Sequence, residues 1–154
     1  MERMSGPDLA AAPTAFDAAA VLRRARLRVT TQRVAVLEAM ASHPHAAADR
    51  LHAEVVERIP GIALQTVHGI VGDLTAAGIA HRVSLPGAAS ALYELERGDN
   101  HHHLQCVVCG RVEDVPCAVG EAPCLHPAGS VGMRVLEANV TFRAVCRACE
   151  TRAS

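Results

Sequence analysis

Two Cys-x-x-Cys pairs, Cys106 with Cys109 and Cys146 with Cys149, constrain this chain more than any other feature. Each pair presents two sulfurs from one tight turn, and two such turns make the tetrahedral four-thiolate site that zinc prefers. Four sulfurs leave no position for water, so zinc held there is structural. Only residues 150–154 follow the second pair. Zinc at this point ties down a segment that would otherwise fray, which couples metal binding to folding. Two redox dithiols are the competing reading, and the paired arrangement favours zinc. The six cysteines accompany no apolar leader and no run long enough to span a bilayer. That combination points to metal or thiol chemistry in a reducing, cytoplasmic compartment.

Asn100-His101-His102-His103 stands just before the first pair. A complete thiolate site has no use for these imidazoles, so they imply a second centre. In extended backbone His101 and His103 share one face and His102 takes the other. Glu94, a short linker upstream, adds a carboxylate, and His45 lies in an earlier inter-helix loop. A site built from His45, Glu94, His101 and His103 would join two parts of the chain. Its imidazole and carboxylate donors suit iron, manganese or zinc. His43, His52, His81 and His126 are isolated and read as ordinary surface or core histidines.

The net charge is −1, yet all 15 basic residues are arginine, and residues 18–37 carry five of them with no acid. Helical periodicity covers 16–27, 32–41 (capped by Thr30 or Thr31), 47–59 (stopped by Pro60-Gly61) and 64–77 (stopped by Gly78). Strand-like segments follow at 79–85 and 90–95 across a Pro86-Gly87 turn. Helices followed by a hairpin are the order of a winged helix, in which the helix before the wing enters the DNA major groove. Gln65, Thr66 and His68 sit at the start of that helix, where side chains reach base edges. Arg33 and the basic first helix suit phosphates. Plain N-capping is the competing reading of the polar start. The fold class expected is α+β. It comprises a flexible tail at 1–15, a winged-helix DNA-binding domain at 16–95, a hinge at 96–99, and a small zinc-stapled α/β dimerisation and metal-binding domain at 100–154. Within the last, β-type segments fall near 103–107, 111–116 and 133–145, with a turn or helical piece at 117–124.

LRVTTQRVAVLEAM, LQTVHGIVGDLTAAGI, ALYELERGDNHHHLQCVVCG and CRAC occur in the order of the ferric uptake regulator family of metal-dependent repressors. The chain resembles that family over about residues 16–150. The resemblance implies a homodimeric repressor of double-stranded operator DNA, with structural zinc on the four paired cysteines. It implies a regulatory iron(II), manganese(II) or zinc ion on His45, Glu94, His101 and His103. Asp114, or Glu113 beside it, is implied as a fifth ligand. The stretch GDNHHHLQCVVCGRVEDVPCAVGEAPCL is most similar to the branch that represses catalase-peroxidase genes. That likeness implies a peroxide or redox input and makes Cys117 and Cys124 candidate redox thiols. Glu94 stands where peroxide sensors commonly carry Asp, and His68 where many members carry Tyr. No histidine occurs in Leu136-Glu137-Ala138-Asn139, so an additional site on His102 and Glu121 is not expected. No cysteine precedes Cys106, against the zinc-uptake branch. A metal-uptake repressor without oxidant sensing is the alternative. A non-haem metal enzyme using the same donors is a weaker one: one Tyr, two Phe and no Trp give little to wall a substrate pocket.

Overall fold

The computed structural model describes residues 16–99, 101–117, 129, 131–136 and 138–152. The expected tail at 1–15 and the piece after Cys117 lie outside them. Helix α1 (Ala18–Arg24) starts where the Asp17 carboxylate accepts the Ala20 N–H at 2.9 Å. It ends three residues sooner than periodicity suggests, because Arg26 turns left-handed (φ 59°) and the Leu27 N–H closes on the Leu22 carbonyl at 2.9 Å. Helix α2 (Thr31–Ser42) is capped by Thr30, whose hydroxyl accepts the Arg33 N–H at 3.2 Å. Strand β1 (Ala46–Ala47) leads into α3 (Ala48–Arg58). Helix α4 (Leu64–Ala76) closes with Gly78 at φ 69° and the Ile79 N–H on the Leu74 carbonyl at 2.9 Å, a Schellman ending.

Strands β2 (Ala80–Val83) and β3 (Leu92–Leu95) form the wing. With β1 they make an antiparallel sheet of order β1-β3-β2. A second sheet, order β5-β4-β6, joins β4 (His101–Cys106), β5 (Val112–Pro116) and β6 (Thr141–Ala144). Its β4–β5 pair is antiparallel and its β4–β6 pair parallel. Helix α5 (Arg147–Glu150) follows. The architecture is the expected α+β: helices and a wing, then a small mixed unit. Among the described residues of the segment 133–145, 141–144 pair as a strand.

Apolar burial is divided unequally. Leu22, Val36, Leu37, Met40, Leu51, Val55, Val67, Val71 and Leu74 are almost completely buried, all in the first unit. Beyond residue 95, the only buried hydrophobic side chains among the described residues are Cys106 and Cys149. Val107, Val108, Met133, Leu136, Phe142 and Val145 remain exposed there. The hydrophobic effect, at about 25 cal/mol per Å² removed from water, therefore holds the helical unit together. The second unit depends on something else.

Candidate metal centres and nucleic-acid face

The four sulfurs of Cys106, Cys109, Cys146 and Cys149 lie within 4.8 Å of one another. Cys106 ends β4, and the Gly110 N–H returns to its carbonyl at 2.9 Å, with Gly110 at φ 75°. The parallel pairing of Cys106 with Ala144 delivers the second turn beside the first. There the Cys146 N–H donates to the Cys106 sulfur at 3.3 Å, and the Cys149 N–H to the Cys146 carbonyl at 2.9 Å. Helix α5 is the continuation of this turn. The Cys109 and Cys146 sulfurs are 3.8 Å apart. A tetrahedron with Zn–S bonds of about 2.3 Å has edges of about 3.8 Å, so the donor set fits zinc. Backbone N–H groups of Cys109 and Cys146 lower the Cys106 thiol to about 6, the direction a thiolate ligand needs.

The second cluster draws on both sheets. Ala46 pairs with Tyr93, so continuing the register puts His45 opposite Glu94. His45 adopts φ 60°, a conformation that costs a non-glycine residue on the order of 1–2 kcal/mol and that surrounding structure must enforce. On the second sheet His101 and His103 project together, while His102 turns to the other face and packs against Phe142. His103 lies directly opposite Asp114, and Leu104 opposite Glu113. Directly paired residues share a face, so the register selects Asp114 and sends Glu113 away, toward Arg111.

The His45 Nε2 is 2.9 Å from Glu94 Oε2 and 2.7 Å from Asp114 Oδ1. The Nε2 atoms of His101 and His103 each lie 3.2 Å from Glu94. They are 4.0 Å and 3.8 Å from Asp114 Oδ1. The His45 Nε2 and Asp114 Oδ1 atoms are buried and only 2.7 Å apart, yet neither makes a hydrogen bond of good geometry among the described residues. Buried ligand atoms that crowd toward one point without satisfying one another are what a cation would satisfy. His45, Glu94, His103 and Asp114 bring one ligand atom each within 4.8 Å of one another, a set that fits a first-row divalent metal, and His101 adjoins it through Glu94 at 3.2 Å.

Without a metal the same groups would store charge. Its Glu94 contact raises the His45 pKa above 6.5 against the opposing effect of burial, and Asp114 adds to it. Burial opposes protonation of His101, but Asp99 and Glu94 outweigh it and raise that group too. Burial would push Glu94 up, yet His103 and His45 hold it well below its ordinary 4.5. A raised imidazole contributes stability below 6.5 that is lost as pH climbs through its folded value. A lowered carboxylate contributes stability above 4.5 that is lost only in strong acid. Zinc-loaded protein with this second centre empty should thus melt higher at pH 6 than at pH 8. Manganese(II) must displace the imidazole protons, so its affinity should rise over the same interval. Calorimetry in buffers of different ionisation enthalpy would register the released protons.

On α4, Gln65 and His68 are exposed and Thr66 half-buried. The N-cap is Ala63 and no side-chain cap bond forms, so capping does not account for the polar start. Arg33 reaches Asp73 of α4 at 2.7 Å and the Arg28 carbonyl at 3.1 Å, an ion pair that fixes α4 against α2. Cys117 is half-buried just after β5, and Cys124 lies outside the described residues.

The winged-helix unit and the thiolate-stapled sheet, joined across a cluster of metal-binding donors, define a metal-dependent DNA-binding transcriptional regulator. Known proteins agree. The profile of the ferric uptake regulator family matches residues 24–143. The chain is 44% identical over 133 residues to transcriptional regulator FurA of Mycobacterium tuberculosis, covering 86% of this chain and 90% of that one. It is 44% identical over 127 residues to ferric uptake regulation protein 1 of Mycolicibacterium fortuitum, covering 82% and 78%. In fold it is similar to the Helicobacter pylori ferric uptake regulator Fur, with TM-score 0.69 at 14% identity, covering 88% and 95%. The chain belongs to the ferric uptake regulator family. Members of that family are transcriptional regulators and not enzymes.

Proposed function

We propose that the chain is a cytoplasmic, homodimeric repressor that holds double-stranded operator DNA while a metal occupies the His45, Glu94, His101, His103 and Asp114 centre. Peroxide stress releases it, and a catalase-peroxidase gene and its own gene are the targets. The observation that carries this reading is the divided origin of the donors. His45 and Glu94 belong to the winged-helix unit and His103 and Asp114 to the second sheet, with His101 of that sheet beside them at Glu94. A cation bound by both fixes the angle between them, and in a dimer that angle sets the spacing of two recognition helices on a palindrome. Metal stabilises the DNA-competent arrangement because it binds that arrangement better.

Zinc on the four cysteines is structural, and iron(II), manganese(II) or zinc occupies the regulatory centre. Gln65, Thr66 and His68 face the bases. Exposed Arg23, Arg24, Arg26 and Arg28 face phosphates, and Arg33 supports α4 beside them. The exposed apolar side chains beyond residue 95 suit a second copy of the chain. No helix among the described residues is long and apolar enough to cross a membrane. Iron(II) held by these residues would supply the reducing chemistry that activates peroxide beside the rings that bind it. In the net reaction one hydrogen peroxide, the two-electron oxidant, would give one oxygen atom to a ring carbon of His45 or His101 and leave its other oxygen as water, and the altered ring would no longer serve as a donor.

The test uses DNA from upstream of the protein's own gene, with the zinc site filled. Affinity is measured with iron(II) in the absence of oxygen, then after peroxide, and the protein is mapped by peptide mass spectrometry. Tight iron-dependent binding that peroxide abolishes, with oxygen added at His45 or His101, is expected. A Cys117–Cys124 disulfide in place of the added oxygen would move the sensing to thiols. Binding that survives peroxide would make the protein a metal-supply regulator.

A further inference from the structure

We propose that the connecting segment 96–99 is the outer shell of the regulatory centre, Asp99 positioning His101 and Arg97 positioning Asp114. The inference rests on the ligand assignment above and gives this segment a role beyond linking two units. Its backbone is a built turn. The Glu96 N–H reaches the Ile79 carbonyl at 2.8 Å, carrying the wing ladder one residue past β3. The Glu96 carboxylate then accepts the Gly98 N–H at 2.6 Å, and Gly98 takes φ 70°, which a glycine adopts without steric cost. Arg97 and Asp99 straddle that glycine, and both side chains come back onto the centre.

Asp99 Oδ1 lies 2.8 Å from His101 Nδ1, while the Nε2 of the same ring points at Glu94. A carboxylate only accepts, so Nδ1 must carry a proton. A neutral ring then has its lone pair on Nε2, facing the metal. Asp99 thereby selects the ligating tautomer and the ring orientation together. Arg97 Nη1 donates to Asp114 Oδ2 at 3.1 Å, leaving Oδ1 beside His45. The guanidinium keeps its charge at any accessible pH. It therefore reserves one oxygen of Asp114 and presents the other as a single donor. Both positioning side chains are about half exposed (Arg97 49%, Asp99 55%). Water competes there, so the effect belongs toward the lower part of the 10- to 100-fold range typical of outer-shell partners.

The experiment titrates manganese(II) into the full chain with zinc confirmed at one equivalent, comparing wild type with D99A, D99N and H101A. D99A should bind about tenfold more weakly. D99N, whose amide oxygen accepts the same bond, should recover most of the loss. With the centre filled by diamagnetic zinc, proton–nitrogen spectra should show the His101 Nδ1–H shifted downfield and slow to exchange, as a hydrogen-bonded proton is, in wild type and D99N and not in D99A. R97A should alter the visible absorption of cobalt(II) at the centre, because Asp114 then binds through both oxygens. D99A equal to wild type while H101A loses binding overturns the Asp99 role alone, and an unchanged cobalt spectrum overturns that of Arg97. H101A equal to wild type overturns the ligand assignment itself. Should D99A fail to retain zinc, the Nδ1–H signal of D99N decides: a proton that exchanges freely and is not shifted downfield overturns the Asp99 role.

Discussion

Cys149→Ser is expected to unfold the second sheet while leaving helices α2, α3 and α4 in place. The unit beyond residue 95 buries no aliphatic side chain among the described residues, so it lacks the about 1.5–3 kcal/mol that each buried Leu, Val or Phe contributes elsewhere. Structural zinc supplies an apparent 10–16 kcal/mol in small zinc domains near neutral pH, roughly five such side chains in one ion. The cysteines are poorly placed to do without it. Cys106 is lowered to about 6 by backbone N–H groups, while the sulfurs of Cys146 and Cys109 push Cys149 up to about 12. Without a cation the Cys106 sulfur, which favours ionisation, would face a Cys149 thiol that resists it, and no buried aliphatic contact among the described residues closes the cluster. Removing one sulfur should drop the zinc content well below one per chain. Amide exchange in β4, β5 and β6 should accelerate to that of an unfolded segment, while α2, α3 and α4, packed on Leu37, Leu51 and Leu74, keep their protection. Stoichiometric zinc together with protected β4–β6 amides in C149S would show that the sulfurs are not what holds this unit.

The parts of the structure that follow from short-range chemistry were legible in the chain. Thr30 caps α2, Pro60-Gly61 and Gly78 stop α3 and α4, and the two-residue alternation of strands separates His101 and His103 from His102. The parts that depend on long-range pairing were not. Strand β1 is two alanines, with no pattern to mark it, and exists because β3 lies alongside. The stretch 133–145 reads as β-type from its residues, but among those described it is 141–144 that pairs with β4 as a strand. Asp114 rested on family resemblance until the register placed it across from His103. Arg33 reads as a phosphate contact from charge alone, and its ion pair with Asp73, 40 positions away, is visible only in the folded chain. The charges of Arg97 and Asp99 look like ordinary linker residues for the same reason.

Glu94→Gln is expected to remove metal-dependent DNA binding and leave the thiolate zinc untouched. Glu94 is 4% exposed and comes within 3.2 Å of all three imidazoles, at 2.9 Å for His45 and 3.2 Å for His101 and His103. Glutamine keeps its volume, so the packing of β3 survives. What disappears is the anion. The dication would then face only Asp114, whose charge is shared with Arg97. Losing an outer-shell partner costs 10- to 100-fold in metal affinity, so losing a buried anionic donor should cost on the order of 100-fold or more. Metal and DNA affinities are linked, so the factor by which manganese(II) tightens DNA must equal the factor by which DNA tightens manganese(II). A variant that cannot hold the ion at working concentrations loses both together. A second signature belongs to the metal-free protein. With Glu94 neutralised, the His45 and His101 ring titrations should move down toward 6.5, because the carboxylate that raised them is gone. Manganese titration, DNA-binding anisotropy and imidazole NMR on one zinc-replete preparation would measure all three quantities. DNA affinity that still rises with manganese(II) as in the wild type would remove Glu94 from the centre. The two units would then need another way to communicate.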